Sequence, residues 1–129
     1  RGNIMRITRF NHVGLNGEGM QEELREFYSG VLGLTEFERT GAATMVNGFW
    51  SGEKSPIVHM LTDPAEGAMA MPNGTHVSFY VDNIDEAIAQ VKSTCKEVLH
   101  VGEGKGQIIW FKDPAGNTLE LQQDPDISL

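Results

Sequence analysis

Four side chains of types that commonly bind divalent metal ions occupy related places in the two halves of this sequence. His12 lies in "FNHVGL" and His76 in "THVSFYV", each the first predicted strand of its half. His59 lies in "PIVHML" and Glu120 in "TLELQQ", each the last predicted strand of its half. Divalent metals accept imidazole nitrogen and carboxylate oxygen, and a buried carboxylate is costly unless it is paired. If the fold brings these residues together, the sequence predicts a metal site.

Strand alternation supports this grouping. In "THVSFYV", His76, Ser78 and Tyr80 share one face of the strand, and three apolar residues share the other. In "TLELQQ", two leucines flank Glu120 and point away from it. A single histidine on such a strand is usually an ordinary hydrogen-bonded residue. The three counterparts in the other strands favour a ligand role for His76.

The two halves follow one plan, strand, helix and three strands, as expected for a duplicated module. The first half predicts a helix in "MQEELREFYSGVLGL" and strands in "TEFERT", "TMVNGFW" and "PIVHML". The second half predicts a helix in "DNIDEAIAQVKSTC", capped by Asp82 or Asn83, and strands in "KEVLHV", "QIIWFKD" and "TLELQQ". The shift that places His12 on His76 also brings the apolar positions of both helices into register.

We therefore expect one α+β domain with a first βαβββ module over residues 5–62, a linker over 63–74 and a second module over 75–123. The helical stripes predict that Phe27 and Tyr28 lie in the core, as does an inert Cys95. We take Met5 as the native start and expect residues 1–4 to be a non-native remnant or disordered.

Composition limits the partners. The formal net charge of −8 provides no basic stripe for nucleic acid. The apolar runs are too short to span a membrane, and a single cysteine fits a reducing cytoplasm. Composition therefore leaves a small molecule or another protein as the partner, and we expect a small-molecule substrate.

The segments "NHVGL", "FYSGVLGL", "THVSFYVDNIDEAIAQV" and "FKDPAGNTLELQQ" extend from Phe10 to Gln123. In these segments the chain resembles the vicinal oxygen chelate superfamily, which includes glyoxalase I, bleomycin-resistance proteins and extradiol dioxygenases. The resemblance implies that the modules pair into a curved mixed sheet with helices outside and a metal cleft on the concave face. It also implies a homodimer.

Carried over by position, the resemblance implies that His12, His76 and Glu120 bind one divalent ion, which could be Zn, Ni, Co, Mn or Fe. The fourth ligand position falls on His59, where glyoxalases usually carry Glu and related epimerases Glu or Gln. Five further side chains are expected to line the cleft, although core packing is the alternative for the aromatic ones. They are Phe10, Trp50, Tyr80, Trp110 and Gln122.

Three functions remain open. The first is a metal-dependent lyase, isomerase or epimerase of glyoxalase type, in which the metal stabilises an enediolate or enolate. Its base would be Glu120, if it can leave the metal, or else His59. The second is an Fe(II) extradiol ring-cleaving dioxygenase, which requires His59 to stay off the metal as an acid–base group. The third is a non-catalytic drug- or metabolite-binding protein.

Overall fold

A computed structural model describes residues 5–127, in which the chain forms two compact units. The N-terminal unit comprises His12–Thr75. The C-terminal unit comprises the residues through Asn11 together with those from His76 onward. The expectation for residues 1–4 lies outside the described residues.

The elements follow the predicted plan. The strands are β1 (Ile7–Asn16), β2 (Thr35–Phe37), β3 (Gly48–Gly52), β4 (Pro56–Leu61), β5 (His76–Val81), β6 (Val98–Val101), β7 (Ile108–Lys112) and β8 (Thr118–Gln123). The α-helices are α1 (Gln21–Glu26), α2 (Ala70–Asn73) and α3 (Ile84–Thr94). The first module is therefore β1-α1-β2-β3-β4 and the second is β5-α3-β6-β7-β8. These elements confirm the predicted α+β class.

In the N-terminal unit, the strands are ordered β2-β3-β4-β1. β1 runs parallel to β4, with Gly14 opposite His59, and β3 runs antiparallel to β4, with Trp50 opposite His59. Residues directly opposite in a sheet point to the same face. The sheet therefore presents Trp50 and His59 together, while Phe49 and Met60 are buried on the other face.

In the C-terminal unit, the order is β1-β5-β8-β7-β6, to which β1 contributes its first residues. β5 runs parallel to β8, with Ser78 opposite Glu120, and β7 runs antiparallel to β8, with Trp110 opposite Glu120. The apolar face of these strands packs on α3. That core contains Val81, Ile84, Ala87, Ile88, Val91, Ile109 and Leu121.

Helix α3 has the predicted construction. The Asn83 side chain accepts a hydrogen bond from the Glu86 backbone N–H at 3.2 Å, so Asn83 is the capping residue. Cys95 follows the last turn and packs against the core, as predicted. No helix within residues 5–127 combines the length and apolar character that a membrane crossing requires.

The prediction that Phe27 lies in the core is wrong, since 46% of Phe27 is exposed. After α1 the chain forms a π-helical turn over Phe27–Val31, in which the Leu32 backbone N–H donates to the Phe27 carbonyl oxygen at 3.0 Å. The wider turn changes the spacing of the residues that follow Phe27, and Val31 is exposed as well. Phe27 itself continues α1, which buries none of its own residues. Tyr28 remains directed inward, and its ring makes an edge contact with Phe49 at 6.2 Å.

The strand predicted in "TMVNGFW" begins only at Gly48, because a 3₁₀ turn occupies Gly41–Met45. Gly48 has φ +138°, and a Cβ there would lie 1.9 Å from the Met60 carbonyl oxygen. The strand can therefore start at this point only with glycine. The segment expected as a linker, 63–74, contains a 3₁₀ turn over Gly67–Met69 and helix α2.

Candidate metal centre

His76 and Glu120 form a buried pair in the C-terminal unit. His76 opens β5 and Glu120 lies at the middle of β8, on the polar face opposite α3. The His76 Nε2 and Glu120 Oε1 atoms are 3.3 Å apart, and only 4% of Glu120 is exposed. A carboxylate this deeply buried requires compensating partners. An imidazole and a carboxylate at this separation are suitable ligands for one ion.

The orientation of Glu120 is fixed by two donors. Ser78 Oγ donates to Glu120 Oε2 at 2.6 Å, and Gln122 Nε2 donates to the same oxygen at 2.8 Å. Asn11 Nδ2 in turn donates to Ser78 Oγ at 3.1 Å. Both donors to Glu120 are its neighbours on the sheet, Ser78 directly across the ladder and Gln122 two residues along the strand. Such outer contacts orient a metal-binding carboxylate.

Trp110 lies beside this pair on β7, directly opposite Glu120. Its side chain is buried, and within residues 5–127 its Nε1–H has no hydrogen-bond partner. Buried tryptophan N–H groups normally find an acceptor. The indole therefore offers a donor next to Glu120 that the described protein does not use.

Three rings pack together in the N-terminal unit. The His59 ring stacks on Trp50 with centroids 3.9 Å apart and an interplanar angle of 17°. His12 meets Trp50 edge-on at 4.7 Å and His59 at 5.8 Å. Both histidines are buried. The stacking fixes the plane of the His59 imidazole.

The two modules use the same four positions in the same register. Each has a histidine on its first strand, a small residue two positions later, and a polar residue opposite that small residue. A tryptophan on the next strand lies opposite the polar residue. These sets are His12, Gly14, His59 and Trp50 in the first module and His76, Ser78, Glu120 and Trp110 in the second.

A family model for the glyoxalase/bleomycin resistance protein/dioxygenase superfamily matches residues 9–121. The chain belongs to this superfamily. The match covers nearly the whole sequence, so the predicted membership is confirmed. No curated protein is significantly similar to the chain.

Solved structures of the same fold include dioxygenases. A single-substitution variant of homoprotocatechuate 2,3-dioxygenase from Brevibacterium fuscum is 18% identical, with a TM-score of 0.66, and the match covers 93% of this chain and 33% of that one. The homoprotocatechuate 2,3-dioxygenase from Arthrobacter globiformis is 19% identical, with a TM-score of 0.65, and the match covers 92% of this chain and 36% of that one. This superfamily member thus spans about a third of the length of these proteins. At such identities the likeness shows the fold.

Tyr80, which lies on the same strand as His76, contacts a charged cluster. The Arg9 guanidinium lies 4.5 Å from the Tyr80 ring centroid and donates to both carboxylate oxygens of Asp124, at 3.2 and 3.0 Å. These bonds, together with a 2.6 Å bond from Thr8, hold the pKa of Asp124 well below its usual range. Burial raises the pKa of Tyr80, and the nearby Asp124 and Glu120 charges raise it further, against the opposing effect of Arg9.

The five residues predicted to line the substrate cleft have different surroundings in the structure. Gln122 bonds Glu120, Trp110 lies opposite Glu120, and Trp50 stacks on His59. Tyr80 is partly buried under Arg9. Phe10 is 47% exposed on β1.

Sequence reasoning missed Arg9 and Asp124. They are 115 residues apart in the chain, and no local motif connects them.

Proposed function

We propose that this superfamily member binds one divalent metal ion through His12, His76 and Glu120. All three side chains are buried, and within the C-terminal unit His76 Nε2 and Glu120 Oε1 are 3.3 Å apart. Two histidines and one carboxylate with open positions are the donor set of non-haem Fe(II) oxygenases. This donor set is the observation that carries the proposal.

We propose further that the reaction is ring cleavage of a catechol. A bound Fe(II) would accept the two adjacent oxygens of the catechol and leave room for O₂. The overall reaction consumes one catechol and one O₂ and retains both oxygen atoms in the ring-opened product, so it needs no added reductant. The shared fold with extradiol ring-cleaving dioxygenases supports this choice.

The contacts of Glu120 count against a glyoxalase-type lyase, isomerase or epimerase in which Glu120, rather than His59, is the base. In such a reaction Glu120 would have to leave the metal. Ser78 and Gln122 both donate to Glu120 Oε2, so such a movement would break two charge-assisted hydrogen bonds in a buried place. These bonds support a fixed ligand role.

His59 is proposed as an acid–base group beside the metal. Imidazole is a common acid–base group, and Trp50 fixes the plane of this ring. Tyr80 and Trp110 are proposed as hydrogen-bond donors to the substrate. A tyrosine is protonated at neutral pH, and burial raises the pKa of Tyr80 further, while the Trp110 N–H has no acceptor within residues 5–127.

Anaerobic reconstitution with Fe(II), followed by a catechol and air, tests the proposal. We expect about one ion per chain by elemental analysis and a yellow ring-opened product with matching O₂ uptake. His76→Ala should lose the metal. His100→Ala is the matched control, because His100 bonds Lys92 and Gln107 away from these ligands.

The outcomes separate the three candidate functions. Metal binding that depends on His76 without O₂ uptake would refute ring cleavage and favour the lyase, isomerase or epimerase. Absence of metal from the wild-type protein would refute the centre itself and favour a drug- or metabolite-binding role. His59→Gln should keep the ion and lose most of the turnover; loss of the ion would instead make His59 a fourth ligand. A cytoplasmic location and a homodimer remain part of this proposal.

A further inference from the structure

Lys112 places a cation on the same face of the C-terminal sheet as two of the proposed metal ligands. It ends β7 and lies directly opposite Thr118, which in turn lies directly opposite His76 on β5. The three residues therefore form a row across the sheet, parallel to the row that contains Glu120. Neighbouring strands are about 4.8 Å apart, so the row spans about 10 Å.

The Lys112 ammonium bends back over this row. Its Nζ donates to Thr118 Oγ1 at 2.7 Å, and this contact is partly buried. Thr118 itself is buried. The positive charge thus lies beside Thr118, whose strand is the direct neighbour of the strand that carries His76.

Within residues 5–127, no carboxylate lies within ion-pairing distance of the Lys112 Nζ, which instead bonds the neutral hydroxyl of Thr118. The other four lysines of the described residues also lack a carboxylate partner, but all four are exposed, whereas Lys112 is half-buried. Arg9 and Arg25 each pair with two carboxylates. A partly buried ammonium without an anion can still gain stability from one.

We infer that Lys112 binds a carboxylate of the substrate while the adjacent oxygens of the same molecule face His76 and Glu120. This inference rests on the proposed metal function and adds a substrate class, catechols that carry a carboxylate on the ring. The formal net charge of −8 would repel such an anion unless a local cation compensated for it. A single substituted ring fits within the span of the row.

Binding to the Zn²⁺-loaded protein tests the inference without turnover. Two probes share the catechol group and differ at one ring substituent: 3,4-dihydroxybenzoate carries a carboxylate and 4-methylcatechol carries a methyl group. Isothermal titration should show that wild-type protein binds the carboxylate probe about tenfold or more tightly than the methyl probe. Lys112→Met should bring the two affinities to within about twofold, with metal content and methylcatechol affinity unchanged.

Lys112→Arg keeps the charge and should keep most of the preference. Lys105→Met is the matched control, because Lys105 is exposed in the 3₁₀ turn Gly104–Gly106. An unchanged preference in Lys112→Met, or equal weakening of both probes, would overturn the inference, as would a folded Lys112→Arg protein without any preference. Wild-type protein that binds metal and both probes equally would refute the inference alone. Wild-type protein that binds no metal would refute the proposed function as well.

Discussion

Removing the Ser78 hydroxyl should weaken metal binding without unfolding the protein. In Ser78→Ala, Glu120 Oε2 loses its shortest hydrogen bond, 2.6 Å, from a side chain that is completely buried. Hydrogen bonds to charged groups contribute about 1.5–3 kcal/mol. Gln122 still donates to the same oxygen at 2.8 Å, so the loss should fall at the lower end of this range. About 1.4 kcal/mol corresponds to a tenfold rise in the Kd for the metal.

The assay is a competition titration of Zn²⁺ between the protein and a chromophoric chelator, with the melting temperature measured in parallel. Ser93→Ala is the matched control, since the exposed Ser93 hydroxyl donates to the Gln90 carbonyl oxygen on α3. We expect the control to bind zinc as the wild-type protein does. The same serine-to-alanine change is thus made once beside Glu120 and once away from it.

The double variant Ser78→Ala, Gln122→Leu should lose more than the two single variants combined, because each donor partly compensates for the other. Unchanged zinc affinity in a folded Ser78→Ala protein would refute the reasoning. It would mean that the bond to Glu120 supports packing rather than the orientation of a ligand.

Three further outcomes concern stability. Asp124→Asn should lower the free energy of unfolding by about 2–3 kcal/mol by removing the buried one of the two carboxylates that pair with Arg9, measured by urea denaturation at pH 7. Because the pKa of Asp124 is depressed in the folded protein, its contribution to stability is present above the unfolded pKa of about 3.9 and is lost as the pH falls below it. The difference in unfolding free energy between wild type and variant should therefore narrow from about pH 5 downward. A constant difference would contradict this. Gly48→Ala should cost about 2–4 kcal/mol or abolish folding, since its Cβ would meet the Met60 carbonyl oxygen, whereas Gly106→Ala, with open space around its Cβ, should melt near the wild-type temperature.

The sequence predicts well the features that depend on local pattern. The stripe of α3 and the alternation of β5 and β8 are periodic, and burial on one face follows from the period. The repeat placed His12 and His76 at equivalent positions. The contacts between Arg9 and Asp124 depend on the order in which β1, β5 and β8 lie in the sheet, which a single sequence does not encode locally. The π-helical turn at Phe27 adds to a helix a spacing that helical periodicity does not anticipate.

The two modules also explain why a carboxylate stands at 120 and an imidazole at 59. Each residue faces the small residue of its own first strand, Ser78 opposite Glu120 and Gly14 opposite His59. A buried carboxylate needs donors, and the Ser78 hydroxyl supplies one; Gly14 has no side chain to do the same. His59→Glu would place a carboxylate opposite Gly14, as the resemblance to glyoxalases suggests, and would remove the stack on Trp50. We therefore expect this variant to be destabilised in metal-free form, with a melting temperature lower than that of His59→Gln. Equal melting temperatures would show that the first module can accommodate a carboxylate without a serine opposite it, and would contradict this explanation.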